Sequence, residues 1–305
     1  MNYATCVITF AEGFGSKLQY ILSCYLFCIK YNLKFVYTDI KNFEHMTWNN
    51  LDSNYEWDLL LNNYIKDNFL LKDGYIEYKN IDKNINIISN SYNIYEKQNN
   101  LYIYTDQFLG KSYLDNNIHE YEYIFLKISS NYLLNTKNIH TYFKPNTINI
   151  SLHIRRFTNT DTDNVDIREL YIKNNKFDLY YYNCIISLKN ILKDKDKEFH
   201  IYTQLNESED NTIFDHYYKL CDDNTRIILH KGDDLINDIH HMILSDIFIL
   251  SKSSLSAIVN YCRNGINIIR ENFYHKLRLN TIYNSLEGNF NDEQEKYILN
   301  YLNLN

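Results

Sequence analysis

Short apolar strands alternate with amphipathic helices throughout the second half of the chain, and this alternation restricts the fold more than any other feature of the sequence. The predicted strands cover residues 148–154, 199–203, 226–229, 247–250 and 266–269. The predicted helices, in which apolar residues recur at helical spacing, cover 178–192, 210–220, 235–243, 254–262 and, at the tail, 292–302. Strands that alternate with helices form parallel sheets with right-handed crossovers, so this half predicts a doubly wound α/β domain.

The beginning of the chain contains a second unit of the same kind. Its predicted elements are a strand at 5–10, a helix at 16–31 and a strand at 33–37. The first turn contains Gly13, Phe14 and Gly15, which is how a dinucleotide-binding fingerprint begins. Leu18 replaces the third glycine, so the turn predicts only a backbone that comes close to a ligand at the start of the helix.

The middle of the chain predicts a domain boundary. Between residues 44 and 144 the pattern is poor, apart from a predicted helix at 118–134. The polar stretch 135–146, with Pro145 near its end, separates this region from the clear alternation that follows. We therefore predict an N-terminal domain at 1–146 and a C-terminal domain at 147–305.

Composition and charge exclude several classes of function. The formal net charge of −7 argues against general nucleic-acid binding, so any anion site must be local. The six cysteines lie mostly in apolar segments without Cys-x-x-Cys spacing, which is typical of reduced core residues. No signal peptide or apolar stretch of about 18 residues is recognisable, so we expect no stable membrane anchor and a cytoplasmic protein.

The predicted strand at 148–154 ends in basic residues. Apolar residues occupy every second position, which is the period of a strand with one buried face. His153 and Arg155 share the other face, and Arg156 follows where the strand gives way to a loop. Guanidinium groups at the end of a strand in an open α/β sheet are typical of a phosphate site. The simpler alternative is a surface strand end with solvated arginines.

A serine-rich turn lies between the predicted strand at 247–250 and the helix that follows. Ser253, Ser254 and Ser256 can cap this helix and, together with its free N–H groups, hold a phosphate. The alternative is that these serines only cap the helix and bind no phosphate. Because the turn follows a strand of the same domain as Arg155, both segments are expected at the same edge of the sheet.

Two further groups of polar residues have competing explanations. Asp161 and Asp163 follow the arginines, either as solvated loop carboxylates or as a general base near a bound anion. His240 and His241 are neighbours on a helix and point about 100° apart, which disfavours joint metal binding. We expect these two histidines to be structural or at the surface.

In their order along the chain these segments resemble the GDP-fucose fucosyltransferase superfamily, most of all its α-1,2-fucosyltransferase branch. The hallmark His-x-Arg-Arg sequence of that family is matched by residues 153–156. Its Gly-rich turn and long apolar helix resemble residues 13–19 and the helix after them. Its closing Asp-x-x-Ile-x-Ser-x-Ser-Ser-x-Ser turn resembles residues 246–256. The composition, rich in Asn, Ile and Tyr, is similar to that of members from large DNA viruses or A/T-rich bacteria.

The resemblance implies a GT-B fold, in which two Rossmann-like domains face each other across a cleft. It implies inverting transfer of L-fucose from GDP-fucose to a glycan hydroxyl, with no metal or other cofactor. Arg155, aided by Arg156, would neutralise the departing diphosphate, and His153 would orient the phosphates or the sugar. The β-phosphate would be held by Ser253, Ser254 and Ser256. Backbone close to the sugar would come from Gly13, Phe14 and Gly15.

The catalytic base implied by the resemblance is Asp163, with Asp161 as the second choice. The expected partners are a nucleotide-sugar donor and a glycan or glycoconjugate acceptor, in the host cytoplasm if the source is viral.

Three departures from the family pattern leave two alternatives open. Phe157 and Thr158 replace Gly-Asp after the arginines, Gln204 and Leu205 replace an acidic pair, and Ala257 and Ile258 replace an aromatic pair. One alternative is a transferase that uses a UDP- or dTDP-linked deoxysugar. The other is a non-catalytic protein that binds a nucleotide or a glycan on the same fold.

Overall fold

The chain consists of two compact units. The computed structural model describes residues 1–8, 13–41, 54–80, 85–89, 99–105, 111–155, 176–203, 211–231, 234–271 and 273–304. Unit 1 comprises Met1–Ile139 with two later segments, Asn260–Cys262 and His275–Leu279. Unit 2 comprises the other segments, which are His140–Val259, Arg263–Tyr274 and Asn280–Asn305.

Unit 1 contains a parallel sheet of five described strands in the order β3-β2-β1-β5-β4. The strands are β1 (Tyr3–Val7), β2 (Lys34–Tyr37), β3 (Tyr75–Glu77), β4 (Asn86–Ser89) and β5 (Asn100–Thr105). The helices are α1 (Phe14–Lys30), α2 (Asn54–Asn68), α3 (Lys111–Asn117) and α4 (Glu122–Thr136), with 3-10 turns at Lys72–Gly74 and Tyr78–Asn80. Fourteen of the 17 residues of α1 are buried, as expected for a helix that is apolar on most of its surface.

Unit 2 contains a parallel sheet of six described strands in the order β11-β10-β9-β6-β7-β8. The strands are β6 (Ile148–His153), β7 (Lys197–Thr203), β8 (Thr225–Lys231), β9 (Ile247–Ile249), β10 (Ile266–Arg270) and β11 (Thr281–Asn284). The helices are α5 (Lys176–Ile191), α6 (Asp215–Tyr218), α7 (Leu235–Leu244), α8 (Ser254–Tyr261) and α9 (Asp292–Tyr301), with a 3-10 turn at Asn211–Phe214. Counted within the unit, this order is 3-2-1-4-5-6 read from the β8 side, which is the doubly wound order of dinucleotide-binding folds.

The predicted α/β class with parallel sheets is confirmed. The sequence located β1, α1 and β2, and it located β6 to β10, each within a few residues. Local capping explains where two of the helices begin. The Asp234 side chain accepts the backbone N–H of Ile236 at the start of α7, and Asn291 and Gln294 form a capping box at the start of α9.

The prediction that β6 has one buried face is wrong. Five of its six residues are buried, including Asn149, Ser151 and His153, which alternate with the apolar residues. β6 lies between β9 and β7, and a central strand of a parallel sheet is normally covered on both faces. Burial on both faces places His153 inside unit 2 with 8% of its surface exposed.

Two other parts of the fold differ from the predictions. The sequence did not locate β3, β4, β5 and β11, of which all but β5 have only three or four residues. The helix predicted at 210–220 is a 3-10 turn followed by the single turn of α6. None of the helices in the described part of the chain combines the length and the apolar composition needed to cross a membrane.

Candidate functional site

The topology of unit 2 locates a candidate site where β6 and β9 lie side by side. From β6 the sheet continues to β7 and β8, and from β9 it continues in the opposite direction to β10 and β11. Open α/β sheets bind ligands outside the carboxyl ends of the strands at such a switch point. We call the residues there the carboxyl-edge site, which consists of His153, Arg155, Ser251–Ser256 and Arg270.

Arg155 is positioned by the last backbone pairing of β6. The Ile154 N–H donates to the Tyr202 carbonyl oxygen at 2.9 Å, and the Thr203 hydroxyl donates to the Ile154 carbonyl oxygen at 2.9 Å. These bonds extend the pairing with β7 beyond His153. Arg155, which is half-buried, is therefore the first residue after a fixed strand end.

A triangle of hydrogen bonds joins β6 to the turn after β9. The Nδ1 atom of His153 lies 2.7 Å from the hydroxyl oxygen of Ser256 and 3.0 Å from that of Ser251. The two hydroxyl oxygens are 3.1 Å apart, and the Ser251 N–H donates to the Ser256 oxygen at 3.1 Å. All three side chains are buried. The triangle thus connects two segments that the sequence separates by about 100 residues.

The triangle also determines which nitrogen of His153 carries the proton. Burial and, to a smaller extent, the neighbouring positive charge of Arg155 together lower the pKa of His153 to about 3, so the ring is neutral at pH 7. If Nδ1 accepts, both serine hydroxyl protons have an acceptor within the triangle. If Nδ1 donates, one hydroxyl proton has none there. We therefore assign the proton to Nε2, which makes His153 a neutral hydrogen-bond donor.

The serine hydroxyls of the turn are engaged with the protein itself. The Ser253 hydroxyl accepts the Leu255 N–H at 3.2 Å, which is the geometry of a helix N-cap at α8. Ser256 is 0% exposed and contacts His153, while Ser254 is half-buried in the first turn. Direct contact between these hydroxyls and a phosphate stays a prediction. The first turn of this helix also carries the positive end of the helix dipole, and one of its backbone N–H groups, that of Leu255, donates to Ser253.

Two cations at this edge were missed from the sequence. Arg270 is the last residue of β10, the strand beside β9, and its Cζ lies 5.9 Å from the centroid of the Tyr180 ring. Lys252 lies in the serine turn, and its pKa is lowered by burial and then by the charge of Arg270. The strand predicted at 266–269 ends one residue before Arg270, so applying the strand-end argument to that strand would have found it.

The remaining predicted site residues are not among the described residues of unit 2. Gly13, Phe14 and Gly15 belong to unit 1, where Gly13 precedes α1 in an extended conformation without a side-chain cap. Phe14 is 4% exposed, and its ring packs against Tyr64 and Phe69 at centroid distances of 6.4 and 6.2 Å. The last three predicted residues, Arg156, Asp161 and Asp163, lie outside the described residues.

Unit 2 contains a second group of buried imidazoles, which we call the histidine stack and which consists of His200, His230 and His241 with Tyr142. The Tyr142 ring lies 3.6 Å from that of His241 and 4.9 Å from that of His230, both nearly parallel. The Nδ1 atom of His200 is 3.2 Å from Nε2 of His230. Burial lowers the pKa of His200 to about 3.

Within the described ranges, no group of three or more His, Cys, Asp or Glu side chains has the geometry to hold a metal ion. The predicted structural role of His241 agrees with its place in the histidine stack, where its Nδ1 atom donates to the Asn237 carbonyl oxygen at 2.7 Å.

Comparison of the whole chain with models of protein families and with curated protein sequences gives no match.

Proposed function

We propose that the chain is a glycosyltransferase that transfers L-fucose from GDP-fucose to a hydroxyl of a glycan, with inversion at the anomeric carbon. One observation carries the proposal. The hydrogen bonds of His153 join the His-x-Arg segment at the end of β6 to the serine turn after β9. The resemblance to fucosyltransferases depends most on these two segments, and their meeting at a switch point supports a common ligand for both.

In the proposed reaction the anomeric carbon loses its bond to the diphosphate and gains a bond to the acceptor oxygen. The negative charge that develops on the leaving diphosphate needs donors that are already in place. Arg155, the first N–H groups of α8 and the Nε2–H of His153 are such donors at one edge of the sheet. In this scheme Arg155 takes the role that a divalent metal has in other glycosyltransferases, and Arg156 assists it.

A neutral His153 that donates through Nε2 does not accept the proton of the acceptor hydroxyl. The proposal therefore leaves that proton to a carboxylate, with Asp163 ahead of Asp161. Ser256 and Ser251 act as positioning residues, since they hold the ring of His153 in its donating form.

The proposal includes a GT-B architecture, with the acceptor side in residues 1–146 and the donor side in 147–305. The segment Gly13–Gly15 would then bring backbone close to the sugar. The reduced character of the cysteines supports residence in a cytoplasm, which for a viral source is that of the host.

The first test is the shift in unfolding temperature caused by GDP, UDP, dTDP, ADP and CMP, each with and without EDTA. A ligand that binds only the folded protein adds roughly 2.7 kcal/mol at a hundred times its dissociation constant. We expect GDP to give the largest shift, and we expect EDTA to leave it unchanged.

A larger shift with UDP or dTDP would replace GDP-fucose with another nucleotide sugar as the donor. No shift with any nucleotide would contradict the proposal and favour a glycan-binding protein. A positive result with GDP leads to assays of GDP release from GDP-fucose in the presence of candidate glycan acceptors.

A further inference from the structure

The carboxyl-edge site has cations on both sides of β9. Arg155 follows β6 on one side, and Arg270 ends β10 on the other. Lys252 lies between them in the serine turn. Since neighbouring strands are about 4.8 Å apart, the ends of β6 and β10 are separated by roughly 10 Å, with the start of α8 between them.

The guanidinium of Arg270 is held by a defined set of contacts. It lies over the ring of Tyr180, which is 2% exposed, and the Tyr180 hydroxyl donates to the Asn284 side-chain oxygen at 2.8 Å. Asn284 is also the residue of β11 that pairs with Arg270 in the sheet. A cation over an aromatic ring whose hydroxyl is fixed loses little side-chain freedom when it binds an anion.

Lys252 is the second cation on this side. It is half-buried, and the positive charge of Arg270 lowers its pKa in addition to the effect of burial. Two like charges that affect each other in this way repel, and an anion placed between them removes the repulsion. This arrangement occurs in a chain with a net charge of −7, so it does not reflect a general excess of cations.

We propose that Lys252 and Arg270 bind the second phosphate of a nucleoside diphosphate whose first phosphate is bound by Arg155 and the N-terminus of α8. The inference rests on the proposed function, which it deepens by making the diphosphate the recognised group. A diphosphate offers one phosphate to the cation that follows β6 and the other to the two cations on the β10 side. Tyr180 acts as a positioning residue for Arg270.

The test compares GDP with GMP, and pyrophosphate with phosphate, by titration calorimetry on the full chain. The variants are Arg270→Met and Lys252→Met, which keep the aliphatic part of each side chain. Arg226→Met is the matched control, because Arg226 is a largely exposed arginine near the amino end of β8 in the same sheet. Unfolding temperatures of all variants show whether each remains folded.

We expect the wild-type protein to bind GDP at least about tenfold more tightly than GMP, because charge-assisted hydrogen bonds to the second phosphate are strong. Arg270→Met should weaken GDP binding by about 10- to 100-fold and GMP binding by less than about threefold. Lys252→Met should weaken GDP binding in the same direction and by less. Arg226→Met should bind both nucleotides like the wild type.

Unchanged preference for GDP over GMP in folded Arg270→Met and Lys252→Met protein would overturn the inference and leave the proposed function intact. Pyrophosphate that binds as tightly as GDP, and that loses affinity in Arg270→Met, would support the diphosphate contact of Arg270 and overturn recognition of the nucleoside. Absence of binding by GDP and by pyrophosphate to the wild type would overturn both. A Tyr180→Phe variant with a weakened GDP preference at unchanged GMP affinity would support the positioning role of Tyr180, and an unchanged preference would contradict that role.

Discussion

The carboxyl-edge site and the histidine stack belong to the same unit, and both bury imidazole rings. Burial lowers the pKa of His153 and of His200 to about 3 in each place. Their surroundings differ, because His153 borders Arg155 and the start of a helix, whereas His200 borders aromatic rings. A strongly lowered pKa therefore indicates burial in both places, and only the neighbouring donors distinguish a candidate binding site from a structural cluster.

The two groups also differ in the partners of their Nδ1 atoms. Nδ1 of His153 bonds to two serine hydroxyls, and in the proposal its Nε2 atom contacts the ligand. In the histidine stack, Nδ1 of His200 bonds to His230, and the Tyr142 hydroxyl lies 2.9 Å from that of Tyr202. Lys144 also donates to Glu198. The histidine stack thus fastens the segment that precedes β6 to β7, β8 and α7.

The largest effect is expected from Arg155→Ala. Loss of a donor that stabilises the leaving diphosphate should lower turnover by about 10²- to 10³-fold, measured as GDP release from GDP-fucose with an acceptor present. The unfolding temperature should change by about 2 °C or less, because the side chain lies after the strand end. Arg226→Ala is the control and should keep full turnover. Equal turnover of the Arg155 variant and the wild type would remove the proposed mechanism.

The sequence placed Arg155 just after a strand end, as the structure has it, because the alternating strands and helices of unit 2 determine where strands end. The same pattern did not show which strands are central, and for that reason the burial of His153 was missed. The contact between His153 and Ser256 depends on pairing between β6 and β9, which are far apart in the chain. In unit 1 the short strands β3 to β5 gave too little periodicity to be recognised.

The histidine stack could not be predicted for a similar reason. Tyr142, His200 and His230 come from three separate segments, and nothing in the local sequence of any of them indicates aromatic stacking. His240 and His241 were expected to be structural or at the surface, and both are buried. The strand order decides which of these residues become neighbours, and the local sequence does not reveal that order.

The second prediction compares one histidine of each group in acid sensitivity, which should be similar, and in GDP affinity, which should differ. Above pH 6.5 a histidine is neutral in the folded and unfolded states, so it adds no pH dependence. Below pH 6.5 the unfolded state binds a proton that buried His200 does not accept until about pH 3. The free energy of unfolding should therefore fall with decreasing pH, by about 1.4 kcal/mol per pH unit for each such histidine.

His200→Phe should reduce this acid slope while leaving GDP affinity at pH 7.5 unchanged. His153→Phe should reduce the acid slope to a similar extent and also weaken GDP binding. Urea unfolding between pH 4.5 and 7.5 measures the slope, and titration calorimetry measures the affinity. If both variants weakened GDP binding equally, the distinction between the two groups of histidines would be wrong.

The third prediction concerns the hydroxyl that fixes the tautomer of His153. Ser256→Ala removes a donor to Nδ1 and leaves the Ser251 N–H without its acceptor. We expect the free energy of unfolding to fall by about 1–2 kcal/mol and GDP affinity to fall several-fold. The ¹⁵N chemical shifts of the His153 ring should change from those of the Nε2–H form to those of a mixture of tautomers.

Ser253→Ala provides the matched control for Ser256→Ala. It removes the N-cap of α8, at a cost of about 1 kcal/mol, but leaves the His153 triangle in place. The ¹⁵N shifts of His153 should therefore keep their wild-type values. Wild-type ¹⁵N shifts of the Nδ1–H form would contradict the assignment of the proton to Nε2, and unchanged shifts in Ser256→Ala would mean that the Ser251 hydroxyl alone holds the tautomer.

The smallest effect is expected from Tyr142→Phe in the histidine stack. The change keeps the ring that stacks on His241 and removes the hydroxyl that lies 2.9 Å from the Tyr202 hydroxyl and 3.4 Å from Nδ1 of His230. Loss of hydrogen bonds between neutral groups should lower the free energy of unfolding by about 1 kcal/mol. GDP affinity should stay the same, because this ring is part of the histidine stack and not of the carboxyl-edge site. A loss of GDP binding comparable to that of Ser256→Ala would mean that the two groups act as one site.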